Sequence, residues 1–171
     1  MELTGKTLAV IGGGQIGKEV AKRAKGLCME VLIFDPFFSD MEFLHRYGIQ
    51  LCRSFEQALN WADVVTLHLP LTNDTRHLFN AEAFGKMKPS SILINTARGE
   101  LVDEESLYSA LKSGIIAFAA QDVFSMEPPN PDEKLLKLDN FILTPHAGAF
   151  TSEAIEKMVL ISTNNLIELL G

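Results

Sequence analysis

The sequence predicts an α/β protein: a doubly wound parallel sheet with helices on both faces, in three layers. Three observations lead there. Short apolar runs alternate with segments of helical period. Several of those runs are apolar on both faces, as strands covered by helices on both sides are. The two stretches that break the alternation, Pro70 to Asn80 and Ser125 to Asn140, are polar or proline-rich and read as loops on one rim.

Each element follows from its own pattern. "TLAVI" (Thr7 to Ile11) is a short apolar strand bounded by glycines. In the helix "QIGKEVAKRAKGL", Ile16, Val20, Ala24 and Leu27 share a face, and Gly26 is placed to cap the C-terminus. Next come the strand "EVLIF", a short helix over Met41 to Tyr47 and the strand "IQLC". A helix near Phe55 to Asn60 leads into "DVVTLHL", and another covers Ala81 to Met87. "SILINTA" is the fifth strand, "EESLYSALKSG" a helix, and "IAFAAQDVF" and "FILTP" the last strands. Val31 to Phe34, Val64 to Leu67 and Ile92 to Ile94 are the runs that look apolar on both faces. The final helix, Ser152 to Leu170, carries a stripe of Ile155, Val159 and Ser162 to Leu166 that is expected to cover something. No repeat of fixed period is visible.

Composition narrows the function classes. A chain of 171 residues, 47% hydrophobic, closes one core and is short for two, so residues 1–171 are expected to form a single domain. A net charge of −7 and a pI near 5.1 argue against a nucleic-acid partner. No apolar run approaches the roughly 18 residues that span a bilayer, so no membrane role is expected, and the start is read as lacking a secretory pattern. Cys28 and Cys52 stand alone, without a CxxC or a histidine at ligand spacing. They point to no metal site and to a reducing, cytoplasmic setting.

Chemistry enters with "GGGQIG". Gly12, Gly14 and Gly17 match G-x-G-x-x-G, with a strand before the loop and a helix opening from it. Gly12 permits a tight turn, Gly14 lets a pyrophosphate approach the backbone, and Gly17 lets the helix press on the sheet. The phosphate then meets free N–H groups at the positive end of the helix. Asp35 closes "VLIFD" about 20 residues on, where a carboxylate accepts ribose hydroxyls and repels a 2′-phosphate. A plain turn with a surface aspartate is the competing reading. The combination favours a Rossmann-type dinucleotide site, for NAD rather than NADP.

The chain resembles the NAD-binding domain of the D-isomer-specific 2-hydroxyacid dehydrogenases along essentially its whole length. The resemblance rests on the segment from "LAVIGGGQIGKEVAKRAKG" to "VLIFDP", then "LHLPLTNDTRHLFN", "LINTARGELVDEESLYSALKSG", "QDVFSMEPP" and "LTPHAGAFTSEA". It implies that Arg98, standing where a buried strand stops, binds the substrate carboxylate and carbonyl. A guanidinium suits that role, offering a planar fork that stays charged. It implies that His146 is the acid–base catalyst, and that Glu127 is the carboxylate that orients it and raises its pKa. Asp122 would bond the nicotinamide amide, Thr96 and Ala97 would line the nicotinamide, and Leu69 and Pro70 the adenosine side. Gln15, Ile16, Pro36 and Thr75 complete the implied cofactor contacts, which also include Arg98 and His146.

Gly13, in place of a larger residue, and Gln121, in place of an apolar one, depart from the family pattern. So does size, because the family's second, substrate-facing domain is absent from this sequence. His68 and His77 read as structural and His45 as solvated. The expected partners are a small 2-hydroxy or 2-keto acid, the substrate domain and a second copy in a homodimer. A second function class stays open: an NAD-sensing binding module like the C-terminal-binding corepressors, which keep the same three polar residues. A nucleotide-binding structural domain without chemistry ranks last.

Overall fold

The apolar runs lie side by side as parallel strands. The computed structural model describes residues 2–170. Strands β1 (Thr7–Ile11), β2 (Glu30–Phe34), β3 (Gln50–Cys52), β4 (Val64–Leu67), β5 (Ile92–Asn95), β6 (Phe118–Gln121) and β7 (Phe141–Leu143) form one sheet. Its order is β3-β2-β1-β4-β5-β6-β7, and every pairing is parallel. The order reverses between β1 and β4, so a crevice opens beyond their carboxyl ends, where open α/β sheets bind ligands. Registers such as Val10 with Ile33 and Thr66 put the ends of β2, β1 and β4 on a common rim.

Helices cover the two faces unequally. Helices α1 (Gln15–Gly26) and α2 (Met41–Tyr47) bring Ala21, Ala24 and Leu44 onto Val10, Val31 and Ile33. On the opposite face, α3 (Phe55–Trp61), α4 (Ala81–Gly85) and α5 (Glu104–Lys112) bury Leu59, Phe84, Leu107 and Leu111 against Ile11, Leu67 and Leu93. Phe55 meets Phe79 edge-on there, with ring centroids 5.5 Å apart. The first face runs out of cover beyond β5, where Ile142 of β7 is 51% exposed. The three-layer expectation holds, with the cover of this face thinning toward β7.

Four further expectations are corrected. The buried stripe of α1 is Gly17, Ala21 and Ala24, while Ile16 and Leu27 are exposed. Small residues win that face because the helix lies against the glycine loop at backbone distance. Gly26 does not cap α1: Leu27 is the cap residue, and the left-handed position is Cys28, at φ 59°. Ile92 and Ile94 in β5 are only half buried, because their face meets the thinner cover. The last helix, α6 (Ser152–Leu170), has no buried residue, so its stripe is not buried against any of the described residues. Short 3-10 turns at Gly99–Leu101 and Leu135–Lys137 were not anticipated.

The tightest constraint on α1 is Gly17. A Cβ there would fall 2.0 Å from the Gly12 carbonyl oxygen. Gly17→Ala is expected to cost about 1–3 kcal/mol, the usual penalty for overpacking a closed contact. Urea unfolding checks this, and an unchanged midpoint would mean that α1 does not sit so close to the loop.

Candidate functional site

The rim holds two constructions, a cradle at β1/β2/β4 and a polar cluster at β5/β6/β7. The cradle is built from absent side chains. Gly12 has φ 101°, and a Cβ on it would lie 2.6 Å from the His68 carbonyl oxygen at the end of β4. At Gly14 a Cβ would meet nothing within 4 Å, so the backbone there faces open space. Helices α2 to α5 each begin with a side-chain cap, from Asp40, Ser54, Asn80 and Asp103. Helix α1 begins at Gly14 with no side-chain cap and no acid in its first turn. An open, uncapped helix end at the switch point is what a pyrophosphate needs. These residues fit a dinucleotide.

Asp35 ends β2 beside this loop, and Pro36 follows it, exposed. With Phe34, Phe38, Leu51, Cys52 and Arg53 they line a cavity of about 250 Å³. Across the crevice, Leu69 is half buried and Pro70 exposed. The Thr75 hydroxyl donates to the Pro70 carbonyl at 2.7 Å and accepts the Thr72 N–H at 2.8 Å, which folds this loop back on itself.

The polar cluster is organised by Asp122, just past β6. Its carboxylate accepts the Thr144 hydroxyl, the Ala147 N–H at 2.9 Å and the Gly148 N–H at 2.8 Å. Burial alone would raise its pKa, but these hydrogen bonds outweigh that and hold it below its ordinary value. The loop they fasten contains His146, which has a left-handed backbone at φ 52°. Nδ1 of His146 lies 2.8 Å from Glu127 Oε2, and Glu127 Oε1 accepts the Phe124 N–H at 2.9 Å. The bond to His146, then the Phe124 N–H, keep the Glu127 carboxyl below its usual range. An ionised Glu127 can only accept, so Nδ1 carries a proton and Nε2 is the atom free to give or take one.

Arg98 is placed by a residue the sequence reading passed over. Asn95 is fully buried at the end of β5; its amide donates to the Arg98 carbonyl at 2.9 Å and its oxygen accepts the Ala97 N–H at 3.1 Å. Its signal was a polar side chain ending an apolar run. Gly99 closes the arrangement, since a Cβ there would fall 2.1 Å from the Phe124 carbonyl carbon. That contact presses the Arg98 turn onto the segment leading to Glu127. Arg98, Glu127 and His146 consequently line one cavity of about 260 Å³. Thr96 is exposed and Ala97 half buried on the same turn. Gln15 and Ile16 are exposed at the start of α1.

The remaining histidines stand outside this cluster. His68 Nε2 lies 3.0 Å from the Thr66 hydroxyl, and burial lowers its pKa, which suits a neutral structural residue. His77 donates its N–H to the Glu100 carbonyl, and its ring is 3.7 Å from Asp103. Gln121 is buried beside Asn95 in the β5–β6 register; its amide reaches the Val123 carbonyl at 3.3 Å and its oxygen has no partner among the described residues.

A parallel sheet with a glycine cradle at its switch point defines a Rossmann-type dinucleotide-binding domain. Residues 1–148 match the model of the D-isomer specific 2-hydroxyacid dehydrogenase NAD-binding domain. The chain belongs to that family. It is 49% identical over 160 residues to D-3-phosphoglycerate dehydrogenase 2 (chloroplastic) of Arabidopsis thaliana, covering 94% of this chain and 25% of the relative. Among solved structures, a glyoxylate reductase from Paecilomyes thermophila superposes with TM-score 0.90 at 37% identity, over 97% of this chain and 49% of the other. A D-lactate dehydrogenase with NAD+ from Lactobacillus jensenii gives 0.89 at 32% identity, over 99% and 54%. The chain thus spans about a quarter to a half of these relatives.

The two depressed carboxyls make the His146 loop sensitive to acid. A carboxyl whose folded pKa lies below its ordinary value stabilises the fold above that value and loses the contribution as pH falls through the folded one. The ordinary values are 3.8 for Asp122 and 4.5 for Glu127. Asp122→Asn should therefore melt below the native protein at neutral pH, and the gap should narrow as the pH falls below the ordinary value of 3.8. Thermal melts across that range decide it; a gap of constant size would show that charge on Asp122 does not hold the loop.

Proposed function

We propose that this chain is the NAD(H)-binding part of a D-2-hydroxyacid dehydrogenase, an oxidoreductase moving hydride between NAD(H) and a D-2-hydroxy acid or its 2-keto acid. The observation that carries it is the cavity shared by Arg98, Glu127 and His146 on the rim that also bears the uncapped α1. The cofactor, when bound, supplies or accepts the hydride. Gly12, Gly14, Gln15, Ile16 and Gly17 would hold its pyrophosphate, and Asp35 with Pro36 its adenosine ribose. Leu69, Pro70 and Thr75 would border the adenosine side, and Thr96, Ala97 and Asp122 the nicotinamide side. Arg98 would grip the carboxylate and carbonyl of the keto acid through its planar fork. His146 would deliver a proton from Nε2 to the carbonyl oxygen, with Glu127 holding the ring through Nδ1. In the reverse direction Nε2 takes the proton back.

The reading includes a substrate domain outside these residues, a homodimer and a reducing, cytoplasmic setting. No helix among the described residues is long and apolar enough to cross a membrane. Both cysteines are free thiols. No observation favours the corepressor-like binding module, and the relatives named above are dehydrogenases and reductases.

Cofactor choice is tested by calorimetry: NAD(H) should bind well ahead of NADP(H), and Asp35→Ala should narrow the difference. In the full-length enzyme, His146→Gln should lower kcat by about 10²–10⁴-fold, the usual worth of general acid–base catalysis, with cofactor affinity largely kept. Arg98→Lys should lose most of kcat/KM although the charge remains. Near-normal turnover on pyruvate, hydroxypyruvate and glyoxylate in either variant refutes that residue's role. The 171-residue chain alone should bind NADH yet turn over little, because none of the described residues closes over the cavity to hold the keto carbon, a positioning effect worth roughly 7–11 kcal/mol.

A further inference from the structure

The loop "GGGQIG" holds one glycine more than a dinucleotide cradle requires. Gly12 is needed for its left-handed turn, Gly14 for the open approach and Gly17 for helix contact. Gly13 has no left-handed backbone and lines no open space. A Cβ on it would fall 2.2 Å from Phe38 Cδ2, 2.7 Å from Phe38 Cε2 and 3.0 Å from Ile33 Cγ2. The Phe38 ring occupies the place where a side chain at position 13 would be.

That ring belongs to a turn fastened on several sides. Phe38 donates its N–H to the Asp35 carbonyl at 3.2 Å, closing the turn after β2. Lys18 of α1 lies 5.8 Å from the centre of the Phe38 ring and forms an ion pair with Asp40 at 2.6 Å. Within the turn, Asp35 Oδ2 accepts the Gly13 N–H at 2.8 Å and Oδ1 accepts the Phe37 N–H at 2.9 Å. Both carboxylate oxygens are therefore aimed by backbone, and the Phe38 ring packs against Gly13, a residue without a side chain whose N–H is one of the two donors.

We propose that Phe38 is a positioning residue that helps select NAD(H) over NADP(H): seated on Gly13, it clamps residues 35–40 against the glycine loop so that Asp35 cannot swing away from the ribose 2′-oxygen. The proposal rests on the reading of Asp35 as the ribose acceptor. A carboxylate on a mobile turn can retreat from a 2′-phosphate; a clamped one must repel it. Phe38 itself need touch no part of the dinucleotide. The pairing is reciprocal, so a side chain at position 13 is tolerated only when the ring is removed.

Fluorescence titration of NADH and NADPH into the native chain, Asp35→Ala, Phe38→Ala, Gly13→Leu and the Gly13→Leu/Phe38→Ala double variant tests this. In Phe38→Ala the NADPH-to-NADH Kd ratio should shrink about tenfold, equivalent to 1.4 kcal/mol, with a cooperative thermal transition retained. A merely structural residue would weaken both cofactors alike. Gly13→Leu should bind NADH poorly, and the double variant should bind it better than Gly13→Leu. If Gly13→Leu does not fold, recovery of its thermal transition by Phe38→Ala supports the pairing, and failure to recover counts against it. An unchanged ratio in Phe38→Ala, with the ratio collapsed in Asp35→Ala, overturns the role of Phe38 and leaves the ribose reading intact. An unchanged ratio in Asp35→Ala overturns that reading and the proposal with it.

Discussion

The carboxylate of Asp122 gathers the hydroxyl of Thr144 and the N–H groups of Ala147 and Gly148 onto one point. His146 lies inside that span with a left-handed backbone, a conformation that a residue with a side chain keeps only when its surroundings impose it. Gly148 is part of the same constraint, because a Cβ on it would come within 2.9 Å of the Asp122 oxygen. From the fixed loop the order spreads outward. His146 meets Glu127, Glu127 takes the Phe124 N–H, and the Phe124–Ser125 backbone receives Gly99 and with it the Arg98 turn. Three rim segments distant in sequence are joined by a chain of short polar and backbone contacts at the edge of the apolar core that takes in Ala97, Phe124 and Leu143.

Much of this was legible in the sequence, for reasons that differ by region. Seven strands in a parallel sheet follow from apolar runs whose faces are both filled, and the cradle follows from glycines at fixed offsets between a strand and a helix. The face of α1 was misread because hydrophobic period selects the largest apolar residues, Ile16 and Leu27. Backbone contact selects the smallest, Gly17, Ala21 and Ala24. Cys28 rather than a glycine holds the left-handed position after α1, so the usual residue signal was lacking there. Asn95 carried only a weak signal, a polar residue closing an apolar run: its value lies in two backbone partners downstream, and no spacing rule announces them.

Two regions depart from the logic of a closed domain. The sheet face beyond β5 is thinly covered, and α6 carries Val159, Leu160 and Ile161 at 58–60% exposure. A helix with apolar residues on several sides and none buried has the composition of an element meant to be covered. Its period was read correctly and its contact was not, because period identifies a face without identifying what meets it.

The bare start of α1 has a thermodynamic consequence. Four N–H groups at a helix end want acceptors, and here no side chain supplies one. A bound dinucleotide would act as the cap, contributing to the fold through mass action by about 2.7 kcal/mol at a hundredfold excess over its Kd. The melting temperature of this domain is in that sense not a constant of the polypeptide. It is a gauge of how much dinucleotide surrounds it.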